Sequence, residues 1–338
     1  MPNILLVFTG GTIGSTTLNG NINTSKTQGF KLLELYKKKI PDNKHLQFKI
    51  VQPLQLLSEN LFPSVWEQLI QAIEAENIAQ YDGIIVTHGT DTLAFTAAAL
   101  GLYFNTIQIP LLLVSSDYPL DTPYANGLAN FNCAIEFIKQ RKQAGVFVPY
   151  KNSNAEVTVH IATRLSSCLQ LSGDFISVQS KAYLQFQHNT FQQLYSLNLL
   201  SCKPTPLLPY FSNKILLIKP YPGLDYSLFQ LDKVDIIIHD LYHSGTACAS
   251  LDWGENYSLS AFMKRCKQCN ISLYMAPAIK SFSVYDSSRI LQNLGAKVIW
   301  NMSLESAYVK LMLGYGNFND ADFIDQFLST NIAFEYIE

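Results

Sequence analysis

The stretch that decides the fold of this chain is Gly83-Ile84-Ile85-Val86-Thr87-His88-Gly89-Thr90-Asp91-Thr92. Its first half is an uninterrupted apolar run, which is typical of a strand buried on both faces of a parallel sheet. Its second half is a polar turn that passes directly into a helical pattern of small residues, 93–100. The hydroxyl of Thr90 and the carboxylate of Asp91 therefore stand where a buried strand ends, which is where open α/β sheets bind ligands.

A similar turn closes the first apolar run of the chain, residues 4–8, and it has the sequence Thr9-Gly10-Gly11-Thr12-Ile13-Gly14. The G-x-G-x-x-G spacing of a dinucleotide site and the lysine of a P-loop are both absent here. A single turn of this kind is most simply a tight turn with a capping threonine. Two of them, the second beside Asp91, favour a catalytic site in which a threonine is the nucleophile.

Composition narrows the class of protein further. A chain of 338 residues exceeds the usual size of one core, and its 48% hydrophobic and 15% charged residues indicate a globular protein. A formal charge of −2 gives no field that would hold nucleic acid. No apolar run approaches the roughly 18–20 residues that cross a bilayer. No signal peptide is recognisable, and six cysteines in so long a chain do not suggest a disulfide framework, so we expect a cytoplasmic protein without a membrane partner.

The order of apolar runs predicts a two-domain α/β protein. Four runs near the start, 4–8, 47–51, 83–87 and 110–114, alternate with helical patterns, which indicates a mostly parallel sheet covered on both faces. We expect a further strand–helix unit from residue 156. The proline-rich segment 202–209 interrupts this pattern. The predicted divisions are an N-terminal domain over 1–192, a linker over 193–212 and a smaller domain with a second βα sheet over 213–338.

The two turns suit acyl transfer to a threonine. A threonine hydroxyl attacks an amide only when a neighbouring group takes its proton, and Thr90 with Asp91 could supply part of such a relay or bind a substrate ammonium group. Amide N–H groups of the glycine turns could stabilise the oxyanion of a tetrahedral intermediate. His88 lies between a strand and a glycine turn, a position where a histidine is more often structural than catalytic.

At these turns the chain resembles the bacterial-type L-asparaginase family, in particular its cytoplasmic type I branch. Residues 9–14 and 88–92 match the two signature motifs of the family residue for residue. Further likenesses are Ser58, Asn126-Gly127, Asn130 and Tyr221-Pro222-Gly223.

The resemblance implies a larger Rossmann-like N-terminal domain, a smaller flavodoxin-like C-terminal domain with parallel sheets, and a homodimer or homotetramer. It also implies the cofactor-free hydrolysis of L-asparagine to L-aspartate and ammonia through a threonine acyl-enzyme. Thr12 is then the nucleophile, and Thr90, Asp91 and a lysine form a second catalytic group. The residues that the resemblance assigns to substrate binding are Gly11, Ser58, Glu59, Gly89 and Ser116.

Several positions depart from the family pattern. The family carries a tyrosine on a mobile loop about a dozen residues after the first threonine, whereas residues 19–27 here contain none. The relay lysine is best matched by Lys181, although an alignment without gaps places Gly173 there. The turn over 115–117 is one residue shorter, and 242–247 replaces the segment from which a neighbouring protomer usually offers an asparagine.

These departures leave two alternatives open. The chain could be an amino-acid-binding protein that has lost turnover, which the missing tyrosine favours, or an amidase for glutamine or another small amide, which the altered 115–117 turn would suit. No metal is expected. Cys266 and Cys269 have the spacing of a zinc half-site but no second pair, and His239, Asp240 and His243 would need a further converging ligand.

Overall fold

The computed structural model describes residues 2–11, 13, 15–18, 21–24, 28–39, 46–198, 201–281 and 285–337. The chain forms two compact units. The first unit consists of residues up to Pro209 together with Asn331–Phe334, and the second consists of Tyr210–Thr330 together with the residues from Glu335 onward. The chain therefore passes between the units three times, after Pro209, after Thr330 and after Phe334.

The first unit is built on an eight-stranded sheet. Its strands are β1 (Asn3–Val7), β4 (Gln47–Val51), β5 (Gly83–Thr87), β6 (Pro110–Val114), β7 (Gly145–Lys151), β8 (Val157–Ile161), β9 (Leu184–Gln187) and β10 (Thr190–Gln193). They are ordered β10-β9-β8-β7-β6-β5-β1-β4. The five neighbouring strands β7, β6, β5, β1 and β4 pair in parallel. On the far side of β7, the strands β8, β9 and β10 add antiparallel pairs. A separate antiparallel pair joins β2 (Ser15–Leu18) and β3 (Asn21–Thr24).

The helices of the first unit are α1 (Gln28–Lys39), α2 (Pro63–Glu74), α3 (Leu93–Tyr103) and α4 (Gly127–Gln140). Helix α3 is apolar all round, and nine of its eleven residues are buried, as expected for a helix inside a packed core. Strands β5 and β6 are buried along their whole length. The sequence-based prediction of fully apolar parallel strands between helices is confirmed.

The second unit is a four-stranded parallel sheet covered on both faces. Its strands, in spatial order, are β11 (Ile215–Ile218), β12 (Ile236–His239), β13 (Ser272–Ala278) and β14 (Lys297–Trp300). Its helices are α5 (Leu259–Gln268), α6 (Asp286–Asn293), α7 (Leu304–Asn317) and α8 (Ala321–Ser329). Alternate residues of β12 face opposite sides: Ile237 packs in the core that contains α5, and Ile236 and Ile238 pack in the core that contains α7 and α8.

The expected strand–helix unit from residue 156 is wrong. Only five residues separate β7 from β8, too few for the crossover that parallel strands need, so the two strands pair antiparallel. A short 3₁₀ turn follows β8, and β9 and β10 then form a hairpin. The two residues of its loop, His188 and Asn189, both have positive φ, which is the geometry that the right-handed twist of a hairpin favours.

The chain terminus is fixed by an ion pair within the second unit. The Nζ of Lys310 on α7 lies 2.6 Å from Oε1 of Glu335, and both side chains are fully buried. The same ammonium donates to the carbonyl oxygen of Thr330 at 2.5 Å. Residues 330 and 335 flank the segment Asn331–Phe334, so the ion pair fixes both ends of that segment. None of the helices in the described part of the chain is long and apolar enough to span a membrane.

Candidate active site

The two threonine–glycine turns meet at the carboxyl edge of the first sheet, because β1 and β5 are adjacent parallel strands. Oγ1 of Thr9 donates to the carbonyl oxygen of Thr87 at 2.5 Å. Gly11 has a φ of +75°, and a Cβ atom there would lie 2.4 Å from the backbone nitrogen of Gly89. The turns thus touch through glycine backbone that leaves no room for a side chain.

The predicted nucleophile itself, Thr12, lies outside the described residues. Residues 19–20 and 25–27 of the loop that lacks the family's tyrosine also lie outside the described residues. The described part of that loop is β3. The flanking residue Ile13 is described and is buried in the core of the first unit.

The second turn is held by side-chain hydrogen bonds to a segment that follows β4. Oγ of Ser58 donates to Oδ2 of Asp91 at 3.0 Å, and Oγ1 of Thr92 donates to the carbonyl oxygen of Ser58 at 2.9 Å. A Cβ atom on Gly89 would lie 2.4 Å from Oγ of Ser58. Ser58 is buried, whereas Asp91 and Glu59 are exposed. The structure therefore brings Ser58 to Gly89 and to Asp91, from which it is 33 positions away in the sequence.

His88 supports the shape of this turn. Its Nδ1 lies 2.8 Å from the carbonyl oxygen of Gly89, so this nitrogen carries the proton and donates it. Burial lowers the pKa of His88 to about 4, against smaller opposing effects of the Gly89 hydrogen bond and the Asp91 charge. The imidazole is consequently neutral at pH 7, and its observed contact agrees with the structural role expected from the sequence.

A third turn lies one strand away at the same edge, after β6. Oγ of Ser116 donates to the carbonyl oxygen of Tyr118 at 2.6 Å and accepts from the backbone N–H of Gly127 at 3.1 Å. Asp117 and Asn126 are joined by two reciprocal backbone-to-side-chain hydrogen bonds, each 3.0 Å long. The Ser116 hydroxyl proton is therefore already committed to the backbone of its own turn.

Lys181 lies just after a short 3₁₀ turn, Val178–Ser180. Its Nζ is 5.6 Å from the ring centre of Tyr195, over which the guanidinium of Arg164 also lies, at 5.1 Å. No ion pair or hydrogen bond between Lys181 and Asp91 occurs among the described side chains.

Cys168 is a neighbour of Asp91 that the sequence does not single out. Burial is the main cause that raises the pKa of its thiol, and the negative charges of Asp91 and Asp174 raise it further. The sequence pointed to this region only indirectly. Residues 168–174 must be treated as an insertion if Lys181 is to be aligned with the lysine of the family.

The loop that carries Cys168, residues 166–177, is fixed to the end of β7. The side-chain amide of Asn152 donates to the carbonyl oxygen of Phe175 at 2.7 Å and accepts from its N–H at 2.9 Å. Oη of Tyr150 donates to the carbonyl oxygen of Gly173 at 2.9 Å. These contacts define one position for the loop beside the second turn.

The two other candidate groups are explained by packing. Both ring nitrogens of His239 are engaged, Nε2 with Oη of Tyr226 at 2.8 Å and Nδ1 with the carbonyl oxygen of Asp240 at 2.5 Å. Cys266 is buried on α5, which raises the pKa of its thiol to about 12, and Cys269 is exposed beyond the helix. In the described ranges, no cluster of three His, Cys, Asp or Glu side chains could hold a metal ion.

Two glycine–threonine turns that meet at the carboxyl edge of a parallel sheet place the candidate site where open α/β sheets bind ligands. A family model described as "Asparaginase, N-terminal" matches residues 3–195, more than half of the chain. The chain belongs to the asparaginase family.

Solved L-asparaginase structures share the fold over the whole chain. The thermostable L-asparaginase from Thermococcus kodakarensis superimposes with a TM-score of 0.81 at 23% identity, covering 99% of each chain. L-asparaginase I from Vibrio cholerae gives a TM-score of 0.77 at 20% identity, covering 100% of this chain and 99% of the other. At these identities the likeness establishes the fold, and the two-domain α/β arrangement expected from the sequence is confirmed.

Relatives with a curated name are named for another activity. A glutamyl-tRNA(Gln) amidotransferase subunit of Metallosphaera sedula is 27% identical over 296 residues, which is 83% of this chain and 65% of the relative. Its counterpart of the same name in Methanococcus maripaludis is 27% identical over 356 residues, covering 100% of this chain and 81% of the relative. This chain thus spans about two thirds of the first relative's length. The comparisons support the family and not the bacterial type I branch.

Proposed function

We propose that this protein is an amidohydrolase that converts L-asparagine to L-aspartate and ammonia. The observation that carries the proposal is the contact of Gly11 with Gly89, because it joins the two turns that hold Thr12 and Thr90. Matching of both signature motifs and membership of the family support the same activity.

The proposed reaction has two steps. The Thr12 hydroxyl oxygen attacks the side-chain amide carbon, the C–N bond breaks, and the hydroxyl proton leaves on the departing ammonia. Water then attacks the resulting ester, which releases aspartate and returns a proton to the threonine oxygen. Backbone N–H groups of the glycine turns would stabilise the oxyanion in both steps.

Substrate binding is proposed for the surroundings of Asp91. Its exposed carboxylate accepts one hydrogen bond from Ser58 at 3.0 Å, which orients it while leaving acceptor capacity for the substrate's ammonium group. Gly11, Gly89, Glu59 and Ser116 complete the proposed binding set. For Ser116, the committed hydroxyl proton favours a role in shaping the turn, with one oxygen lone pair remaining for the substrate.

The third member of the Thr90–Asp91 group is proposed to be Lys181, on the match of Lys181-Ala182 to the family pattern. If it moves protons, Lys181→Met lowers kcat by about 10²–10⁴. If its role is structural, through contacts such as that with Tyr195, the variant keeps its kcat and loses stability, by about 0.5–1 kcal/mol for the Tyr195 contact.

The test is ammonia release from asparagine, glutamine and related amides by the purified protein. Thr12→Ala is expected to abolish release, and the matched exposed variant Thr106→Ala to leave it unchanged. Release that survives Thr12→Ala would remove Thr12 as nucleophile. Binding of asparagine without ammonia release by the native chain would favour the alternative of a binding protein.

A second candidate function is release of ammonia from glutamine or another amide. The observation that favours it is the 27% identity to amidotransferase subunits named for glutamyl-tRNA(Gln). A higher kcat/KM for glutamine than for asparagine in the same assay would support it.

Assembly and location complete the proposal. We propose a homodimer or homotetramer in the cytoplasm. None of the six cysteines of the chain forms a disulfide, which agrees with a reducing compartment. Light scattering coupled to size exclusion measures the assembly directly.

A further inference from the structure

A cavity lies in the first unit, at the edge of the sheet opposite the candidate active site. Its volume is about 560 Å³, within the range of small-molecule sites. The start of β7, at Gly145, and the end of β8, at Ile161, both line it. Because β7 runs parallel to β5 and β6 while β8 runs antiparallel, both points lie at the amino edge, away from Asp91.

One wall of the cavity is formed by Ile332, Ala333 and Phe334, and their segment is hydrogen-bonded to the rest of the first unit. Oγ1 of Thr163 donates to the carbonyl oxygen of Ala333 at 2.7 Å, and Sγ of Cys202 donates to that of Ile332 at 2.9 Å. The backbone N–H of Lys203 donates to the carbonyl oxygen of Asn331 at 2.7 Å. The cavity is therefore a built feature with a hydrogen-bonded wall.

The floor of the cavity is apolar and aromatic. Phe104, Phe147, Ile161, Tyr183 and Ile332 all line it, and each is less than a tenth exposed. Among the described residues that line it, none is charged. A zwitterionic amino acid such as asparagine would lose its hydration there without a partner for either charge, so the cavity does not suit the proposed substrate.

Three glutamine side chains add amide groups to this lining. Gln108 and Gln193 use their N–H₂ groups on backbone carbonyls, Gln108 at 2.8 Å and Gln193 at 3.2 Å, which leaves their carbonyl oxygens as acceptors. Gln143 accepts a hydrogen bond from Oη of Tyr183, which leaves its N–H₂ as a donor. The cavity thus combines an aromatic floor with amide donors and acceptors.

We propose that this cavity is a second ligand site, for an uncharged planar ring compound whose edge carries an amide-type donor and acceptor. The rings of Phe104, Phe147 and Tyr183 would contact its faces, and the free amide groups would pair with its edge. The site lies away from the edge proposed to hydrolyse the amide, and its uncharged lining does not suit the zwitterionic substrate or product of that reaction.

The test uses 2-quinolone as the probe, with binding to the full chain measured by ligand-detected NMR and calorimetry. We expect saturable binding with a Kd of about 1 mM or below, given the size of the probe. N-methyl-2-quinolone, which lacks the donor, and quinoline-2-carboxylate, which is charged, are expected to bind at least about 10-fold more weakly. Equal binding of the charged compound would overturn the ligand class, and no saturable binding of the probe would overturn the site.

Variants locate the binding. Ala144→Trp places a large ring at the exposed rim and is expected to weaken 2-quinolone binding at least about 10-fold, whereas the exposed control Ala75→Trp leaves it unchanged. Gln143→Met removes the donor for the carbonyl oxygen that both compounds carry, so it is expected to weaken the binding of 2-quinolone and of the N-methyl compound alike. Binding unaffected by Ala144→Trp would place the probe elsewhere. The Thr12→Ala variant should bind the probe like the native chain, so loss of catalysis and loss of this site are separate outcomes.

Discussion

The two turns at the carboxyl edge are stabilised in different ways. The first turn takes its shape from glycine backbone, because Gly10 and Gly11 have φ values of +105° and +75° that L side chains rarely adopt. The second turn is shaped by polar side chains, through the hydrogen bonds of His88, Ser58 and Thr92. The structure of the first turn should therefore be disturbed by an added side-chain atom, and that of the second by protonation of its side chains.

The largest expected effect comes from adding one carbon to the first turn. In Gly11→Ala the new Cβ would lie 2.4 Å from the backbone nitrogen and 2.6 Å from the Cα of Gly89, so backbone must move. We expect a loss of at least about 100-fold in kcat/KM, or about 2.7 kcal/mol of transition-state stabilisation. Stability should fall by about 2–4 kcal/mol, measured by urea unfolding.

Two further alanine variants separate clash from strain. Gly295→Ala in the second unit has a φ of +96° but no atom within 4 Å, so it should lose about 1–2 kcal/mol of stability and keep its activity. In Gly89→Ala, whose φ is not positive, the new Cβ would lie 2.4 Å from Oγ and 2.7 Å from Cβ of Ser58. Because that Cβ cannot rotate away, backbone must move, and the stability loss should approach that of Gly11→Ala. Equal losses for Gly11→Ala and Gly295→Ala would show that the turns do not depend on their contact.

The second turn should respond to acid. The pKa of buried His88 is lowered to about 4 from about 6.5, so between these values the unfolded chain binds a proton that the folded chain does not. Stability therefore falls as pH falls from about 6.5 to about 4, by up to about 3 kcal/mol from this group. His160 in the same unit has its pKa lowered to about 4 by burial and acts in the same direction.

Urea unfolding between about pH 4 and pH 6.5 measures this effect. The native chain should lose stability along this range, and His88→Gln should reduce the slope by about 1.4 kcal/mol per pH unit, which corresponds to one proton. His160→Gln is the matched control and should give the same reduction without touching the turn. A slope unchanged in His88→Gln would mean that this histidine is not buried and neutral.

Sequence predicts the strands and turns that local patterns encode, and fails where distant segments decide the structure. The apolar runs and the glycine turns identify the parallel sheet and the edge where the turns meet. The antiparallel strand β8 was mistaken for the start of a strand–helix unit because the apolar residues 146–148 of its partner β7 were not counted among the strands, and no local pattern shows that the two strands pair across a five-residue loop. The attachment of Asn331–Phe334 to the first unit depends on hydrogen bonds with residues more than 120 positions away, which no local pattern reports.

The neighbourhood of Asp91 shows the same limit at the level of a single side chain. Ser58 was found through the resemblance as a substrate-binding residue, and that role stays a prediction. Its hydrogen bond to Asp91 was not foreseen from the sequence. Cys168 was not singled out, because its position depends on how Tyr150 and Asn152 hold the loop 166–177. Lys181 stays a prediction.

The smallest expected effect concerns the influence of the Asp91 charge on the pKa of the neighbouring Cys168 thiol. Burial and then the negative charge of Asp91 raise the pKa of the Cys168 thiol, so Asp91→Asn should lower it and increase the thiolate fraction. We expect alkylation of Cys168 by iodoacetamide near pH 8 to become roughly two- to five-fold faster, measured by peptide mass spectrometry. Exposed Cys269, read from the same digest, is the internal control and should not change.

An unchanged rate at Cys168 would contradict its place beside Asp91. A faster rate would show that the Asp91 charge acts on the loop 166–177, and it would be compatible with Lys181 as the third member of the Thr90–Asp91 group. Whether that lysine moves protons is decided by the kcat of Lys181→Met, which the alkylation rate does not replace. A kcat lowered by about 10²–10⁴ would support the proposed role, and an unchanged kcat would remove Lys181 from the group.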